Sequence, residues 1–131
     1  MLGGFATTLG LEVLEADGDR VVLAWDVRPD LWQPYGIVHG GVHCAAVETA
    51  ASIGAALWWG DRGNVVGVHN ATDFLRAVRE GRLTATATPV HRGRLQQLWD
   101  VVVAGEDGRA AARGQVRLQN LAVDHPASRE S

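Results

Sequence analysis

The stretch LWQPYGIVHGGVHCAAVETAASIGAALWWG, Leu31 to Gly60, holds 30 residues and a single formal charge, Glu48. At the chain-wide frequency of 21% charged residues, about six charges would be expected in it, so the segment predicts extensive burial. Its first part, Leu31-Trp32-Gln33-Pro34-Tyr35-Gly36, reads as a loop through its Pro and Gly. From about Gly40 to Trp58 the composition turns rich in Ala, which predicts one long helix of roughly 27 Å.

Working outward, Thr8 to Glu15 and Arg20 to Val27 predict two strands joined by Ala16-Asp17-Gly18-Asp19, whose Asp-Gly step is a hairpin signal. In the second, Val21, Leu23, Trp25 and Val27 alternate with Val22, Ala24 and Asp26, the pattern of a half-buried antiparallel pair. Beyond the helix, Asn64 to Phe74, Arg82 to His91, Gln96 to Ala104 and Ala110 to Leu121 predict four more strands. They are broken at Arg79-Glu80-Gly81, Arg92-Gly93-Arg94 and Glu106-Asp107-Gly108, as in an antiparallel meander. The polar residues Asp124 to Ser131 predict a disordered tail, leaving one domain over residues 1–123. A long buried helix between two strands and four strands is an α+β layer arrangement, and no repeat or linker interrupts it.

A chain of 131 residues suffices for one such domain. Its 12 basic residues are all arginines, which excludes a Schiff-base, pyridoxal-phosphate or P-loop lysine. One cysteine, Cys44, excludes an internal disulfide and a multi-cysteine zinc site, and fits a reducing, cytoplasmic setting. A net charge of -3 argues against nucleic acid or an anionic membrane as partner. No signal peptide or membrane-spanning apolar run is read in the sequence. Residues 1–30 are acid-rich, whereas residues 76–94 carry Arg76, Arg79, Arg82, Arg92 and Arg94 against one acid, Glu80. That basic segment reads either as an anion site or as a solvated strand face.

On a helix, Gly41, Cys44, Ser52 and Ala55 fall within about 40° of Glu48, and Ala46, Ala50, Ile53 and Leu57 fall opposite. Small neighbours leave space beside the carboxylate, as a substrate site requires; the other reading is a structural glutamate paired with an arginine of its own or another chain. Ser52 either supports the carboxylate across one turn or bonds back to the Glu48 carbonyl. His39-Gly40-Gly41 stands where the helix begins, so free N–H groups can donate to a developing oxyanion and glycine lets a ligand approach. His39 and His43 have the spacing of a helical metal pair, but without an intervening glutamate or a third ligand no metal site is expected. Cys44 reads as a small buried thiol.

Pro34-Tyr35-Gly36-Ile37-Val38-His39-Gly40-Gly41 followed by Ala45-Ala46-Val47-Glu48-Thr49-Ala50-Ala51-Ser52 resembles the signature of hotdog-fold acyl-CoA thioesterases. Within them it is most similar to the PaaI-like group and the glutamate-type 4-hydroxybenzoyl-CoA thioesterases. Gln33 lies six residues before His39, Glu48 nine after it and Ser52 four further on. Asn64-Val65-Val66-Gly67, Arg76 before Glu80-Gly81, and Pro89-Val90-His91-Arg92-Gly93-Arg94 leading to Gln97 and Trp99 extend the resemblance over roughly residues 8–121. Phe74-Leu75-Arg76-Ala77 departs from the group's frequent His-x-Arg-Pro pattern.

The resemblance implies a hotdog fold, a long central helix wrapped by a curved antiparallel sheet of about six strands, paired into homodimers and commonly homotetramers. It implies hydrolysis of an acyl-CoA thioester to a carboxylic acid and CoA, with no cofactor beyond the CoA of the substrate. Glu48 would be nucleophile or general base, the Gly40 N–H and Gln33 would polarise the carbonyl, Ser52 would support the carboxylate and His39 would position the site. Arg76, His91, Arg92 and Arg94 would meet the CoA phosphates, and Gly41 the substrate. Geometry adds a reason for the dimer: Gly40 and Glu48 are eight residues apart, about 12 Å along one helix, whereas reacting groups must come within about 3 to 3.5 Å. Antiparallel helices across a twofold axis would place Gly40 and Gln33 of one chain opposite Glu48 and Ser52 of the other. The alternatives are a hotdog protein that binds acyl-CoA without hydrolysis and a hotdog dehydratase. The set Gln33, Gly40, Glu48 and Ser52 argues against the first, and the absence of a hydratase-like Asp/His pair against the second. Trp32, Tyr35, Trp58 and Trp59 read as an aryl pocket or as ordinary core, leaving aromatic and medium-chain acyl groups open.

Overall fold

A computed structural model describes residues 2–123, so the expected tail at 124–131 lies outside the described residues. The chain order is α1 (Gly4–Leu9), β1 (Glu12–Ala16), β2 (Val21–Asp26), α2 (Gly40–Trp59), β3 (Gly63–Phe74), β4 (Arg82–Arg92), β5 (Gln96–Ala104) and β6 (Ala110–Ala122). The strands form one antiparallel sheet in the order β1-β2-β4-β5-β6-β3. The chain thus leaves β2 near one edge, runs through α2 and enters the sheet again at the opposite edge. The curved sheet around one long helix is the hotdog arrangement expected from the sequence. No helix among the described residues is long and apolar enough to cross a membrane.

Small residues bring α2 close to the sheet. Ala46, Ala50, Ala51 and Ala55 are fully buried, and a Cβ at Gly54 would stand 2.6 Å from the Trp99 ring. The sheet answers with alternating inward residues: Leu83, Ala85 and Ala87 on β4, Trp99, Val101 and Val103 on β5, Val116 and Leu118 on β6. One polar network crosses this core. Gln97 Nε2 donates to the Ala55 carbonyl (3.2 Å) and to Asn120 Oδ1 (2.8 Å), while Gln97 Oε1 accepts from Trp99 Nε1 (2.8 Å). Asn120 Nδ2 in turn donates to the Gly93 and Arg94 carbonyls, so α2, β5 and β6 together fix the turn between β4 and β5.

Three expectations are corrected. Thr8 belongs to α1 and not to a first strand: Gly10, at φ 79°, ends the short helix in the left-handed region, and β1 starts at Glu12. The second strand is not half-buried, because Val22 and Ala24 are covered too; they lie between neighbours on both sides, Val22 in register with Glu15 and Thr86, Ala24 with Glu12 and Thr84. The charge-poor segment is also less extensively buried within one chain than expected, since Trp32, Tyr35 and Leu57 are exposed. Beside Leu57 on this open side runs β3, an edge strand of 12 residues that exposes Val66 and Val68.

Candidate active site

His39 adopts an extended conformation immediately before α2, and its Nδ1 accepts the Gly41 N–H at 2.7 Å. A Cβ on Gly41 would stand 2.9 Å from that nitrogen, so glycine makes room for the cap. The capping bond occupies the Gly41 amide. Gly40, at the first helical position, has no acceptor within α2 for its own N–H. The loop before it is closed by Gln33 N–H to the Ile37 carbonyl (2.8 Å) and His39 N–H to the Leu31 carbonyl (2.9 Å). Gln33 Oε1 accepts the Tyr35 N–H, which leaves the side-chain NH₂ as a donor. Arg79, a residue the sequence placed only in a basic cluster, supports this loop through the Tyr35 and Gly36 carbonyls.

Gln33 and Gly40 line one groove of about 330 Å³, with Val38, His43, Phe74 and Leu75 among its walls. Phe74 lies over Gly40, where a Cβ would come within 2.7 Å of its ring. Glu48 and Ser52 line a different groove of about 490 Å³, with Ile53 and Leu57 of α2, Val65 of β3, and Leu2 and Ala6 from the N-terminal segment. Gly67 of β3 opens space beside the Glu48 carboxylate: its Cβ would lie 3.8 Å from the carboxyl carbon. Among the described residues neither the Glu48 carboxylate nor the Ser52 hydroxyl has a hydrogen-bond or ion-pair partner, so a pairing of Glu48 with an arginine of its own chain and a bond from Ser52 to the Glu48 carbonyl are both absent. Ala55, expected beside Glu48, is fully buried, and Ala56 lines the open side instead. One chain therefore divides the expected constellation between two surface grooves.

Most of the basic segment is engaged by the chain itself. Arg76 makes a two-pronged ion pair with Asp107, both bonds 3.0 Å, and donates to the Arg109 carbonyl. The Arg109 N–H first, and the Arg76 guanidinium next, hold the Asp107 carboxyl below its usual range. Arg82 bridges Glu12 and Asp26. Arg92 donates to the Gly18 carbonyl (2.6 Å) and to Asp19 (2.8 Å) over the Trp58 ring. Arg94 is exposed, has no ion pair among the described residues, and shares a groove of about 520 Å³ with His91 and Gly93.

The four aromatic candidates line neither of the two grooves that hold Gln33 and Glu48. Trp32 Nε1 donates to the Arg79 carbonyl, Tyr35 is exposed, and Trp58 and Trp59 stack with Arg62 at the end of α2. Three features escaped the sequence: the N-terminal wall of the Glu48 groove, the Phe74 ring over Gly40, and the burial of His43. His43 shares no cluster of three metal-binding side chains among the described residues. Its ring faces Phe74, and burial lowers its pKa from 6.5 to about 4.

Comparison with known proteins agrees with this architecture. Residues 35–112 match the family model described as the thioesterase superfamily. A protein of Mycobacterium tuberculosis named as an esterase is 50% identical over 120 residues, covering 89% of this chain and 86% of the relative. The 1,4-dihydroxy-2-naphthoyl-CoA hydrolase of Listeria monocytogenes is 33% identical over 103 residues, covering 79% and 84%. Among solved structures, AziG of S. sahachiroi superposes with a TM-score of 0.91 at 56% identity, covering 93% of this chain and 99% of that one.

Proposed function

Since the chain belongs to the thioesterase superfamily and its reaction class is thioester hydrolysis, we propose that it cleaves acyl-CoA thioesters at sites shared between two copies of the chain. The observation that carries this reading is the division of the donors and the carboxylate between two grooves of one chain. A twofold pair of antiparallel α2 helices would set the Gln33–Gly40 groove of one protomer against the Glu48–Ser52 groove of the other. The open side of α2 at Leu57 provides apolar surface for that pairing, with β3 at the sheet edge beside it. The dimer is the smallest assembly with complete sites; pairing dimers into a tetramer adds none.

In this site the Gly40 N–H and the Gln33 NH₂ donate to the thioester carbonyl oxygen and stabilise its developing charge. The partner subunit's Glu48 either attacks the carbonyl carbon or takes a proton from the attacking water, with Ser52 one turn away as support. The C–S bond breaks and the sulfur takes up a proton, so that CoA leaves as the thiol. Where water attacks, its oxygen is already in the released acid; where Glu48 attacks, water then hydrolyses the resulting mixed anhydride to the acid and the free Glu48 carboxylate. No cofactor enters. His39 acts through the helix cap that orients the Gly40 amide. CoA as the thiol carrier is supported by the Listeria relative, whose name gives a CoA thioester as its substrate. It is also supported by Arg94, the expected arginine contact that forms no ion pair among the described residues, with His91, Arg92 and Arg76 as further contacts.

Free-thiol release over a panel of aryl- and alkyl-CoA thioesters tests the reading. Wild type releases thiol, and Glu48→Ala loses turnover by orders of magnitude while still binding CoA. Near-normal turnover by Glu48→Ala would overturn the role of the carboxylate, and saturable binding without release would overturn hydrolysis.

A further inference from the structure

No side chain among the described residues holds the Glu48 carboxylate, so its aim follows from its backbone. That backbone is reached from β3. Gly67 stands beside the carboxylate, where a Cβ would lie 3.8 Å from the carboxyl carbon. Asn70 Nδ2 donates at 3.0 Å to the Cys44 carbonyl, the group that accepts the Glu48 N–H within α2. On a regular strand, Gly67 and Asn70 would point to opposite faces. The register with β6 shifts between Gly67 and His69, leaving Val68 as an extra residue, and this bulge turns both toward α2.

The Asn70 amide is itself held in one orientation. Thr72 Oγ1 donates to Asn70 Oδ1 at 2.7 Å, which fixes the oxygen and aims the NH₂ at the helix. Gly114 of β6, in register with Thr72, leaves the room: a Cβ there would come 2.7 Å from both Thr72 Oγ1 and a Val47 methyl. Alanine contacts between α2 and the sheet are non-directional, whereas a hydrogen bond fixes an angle. A bond at Cys44 therefore sets the rotation of the helix in the turn from which Glu48 projects.

We propose that Asn70, aimed by Thr72 and brought into phase by the bulge at Val68, is a positioning residue that sets the Glu48 carboxylate in the shared site without touching the substrate. This rests on Glu48 being the attacking or water-activating group.

The test compares wild type, Asn70→Leu and Thr72→Val on the best-cleaved thioester of the aryl- and alkyl-CoA panel. In Asn70→Leu, kcat is expected to fall about tenfold, with KM and the Kd for CoA within about twofold of wild type. Thr72→Val lowers kcat in the same way but less. Mixed dimers of Gln33→Ala and Glu48→Ala chains locate the effect, because their intact site takes its carboxylate from the Gln33→Ala chain. Asn70→Leu added to that chain should cut the regained thiol release about tenfold, and added to the Glu48→Ala chain by less than about twofold. An unchanged kcat, or equal losses from either chain, the mark of a purely structural role, overturns the proposal. Near-normal turnover by Glu48→Ala overturns instead the reading on which it rests. Crystal structures of wild type and Asn70→Leu decide the matter without turnover. A Cys44–Glu48 turn displaced from Gly67 by about 1 Å in an otherwise superposable fold upholds Asn70 even if no thiol is released. An unmoved turn and carboxylate remove Asn70 and leave hydrolysis standing.

Discussion

Arg92 and Arg94 stand two positions apart and do different work. Arg92 ties β4 to the β1–β2 turn through Gly18 and Asp19, whereas Arg94 projects from a turn fixed from beneath by Asn120. Arg94→Ala is expected to raise KM severalfold more for a full CoA thioester than for the matching pantetheine thioester, which lacks the nucleotide. An equal effect on both would make Arg94 a solvated surface charge. The sequence shows an acid-rich start and a basic stretch at 76–94, but not that the two meet. Antiparallel pairing of β2 with β4 sets Asp26 opposite Arg82, a partnership across 56 residues that no local pattern carries. His43 makes a second prediction at this scale. Its folded-state pKa is about 4, below the 6.5 of the unfolded chain, so between those values the unfolded state binds more protons. The stability tied to a neutral His43 is present above pH 6.5 and is lost as pH falls, by up to about 3 kcal/mol at pH 4. Urea melts of wild type and His43→Leu at pH 7, 5.5 and 4.5 should show a steeper acid loss in wild type; parallel loss in the two would contradict this.

Among the elements, α2 and β4 to β6 were legible because each repeats a physical signal: alanine over a long charge-poor run, and alternation of inward apolar residues over strands of 9 to 13 residues. The first helix was not, since its six residues GFATTL are too few to show a helical period, and Leu9 and Leu11 flank Gly10 in a strand-like alternation. That helix matters for the site because Ala6 and the preceding Leu2 wall the Glu48 groove. Arg28 holds its end through the Thr8 and Leu9 carbonyls. Helix propensity alone also misjudges Gly54. In an isolated helix Gly→Ala stabilises by about 1 kcal/mol, but here the added methyl meets Trp99 at 2.6 Å in a filled core. Gly54→Ala is therefore expected to destabilise the fold by about 1 to 3 kcal/mol in denaturant melts. A stabilised variant would show that α2 and β5 pack less tightly than described.

For the whole molecule, the eight-residue spacing of Gly40 and Glu48 is legible in the sequence, as is its consequence that one helix cannot bring both to a single carbonyl. The walls of the two grooves were not legible, because they come from the far sheet edge, the strand end at Phe74 and the N-terminal segment. A shared site makes activity a property of the pair, which two individually impaired variants test most directly. Gln33→Ala and Glu48→Ala are prepared separately, then mixed in equal amounts under conditions that exchange subunits. In each mixed dimer one site receives both lesions and the other neither, so with random pairing about a quarter of wild-type thiol release should return. A mixture no more active than its two parents would contradict a site shared between subunits.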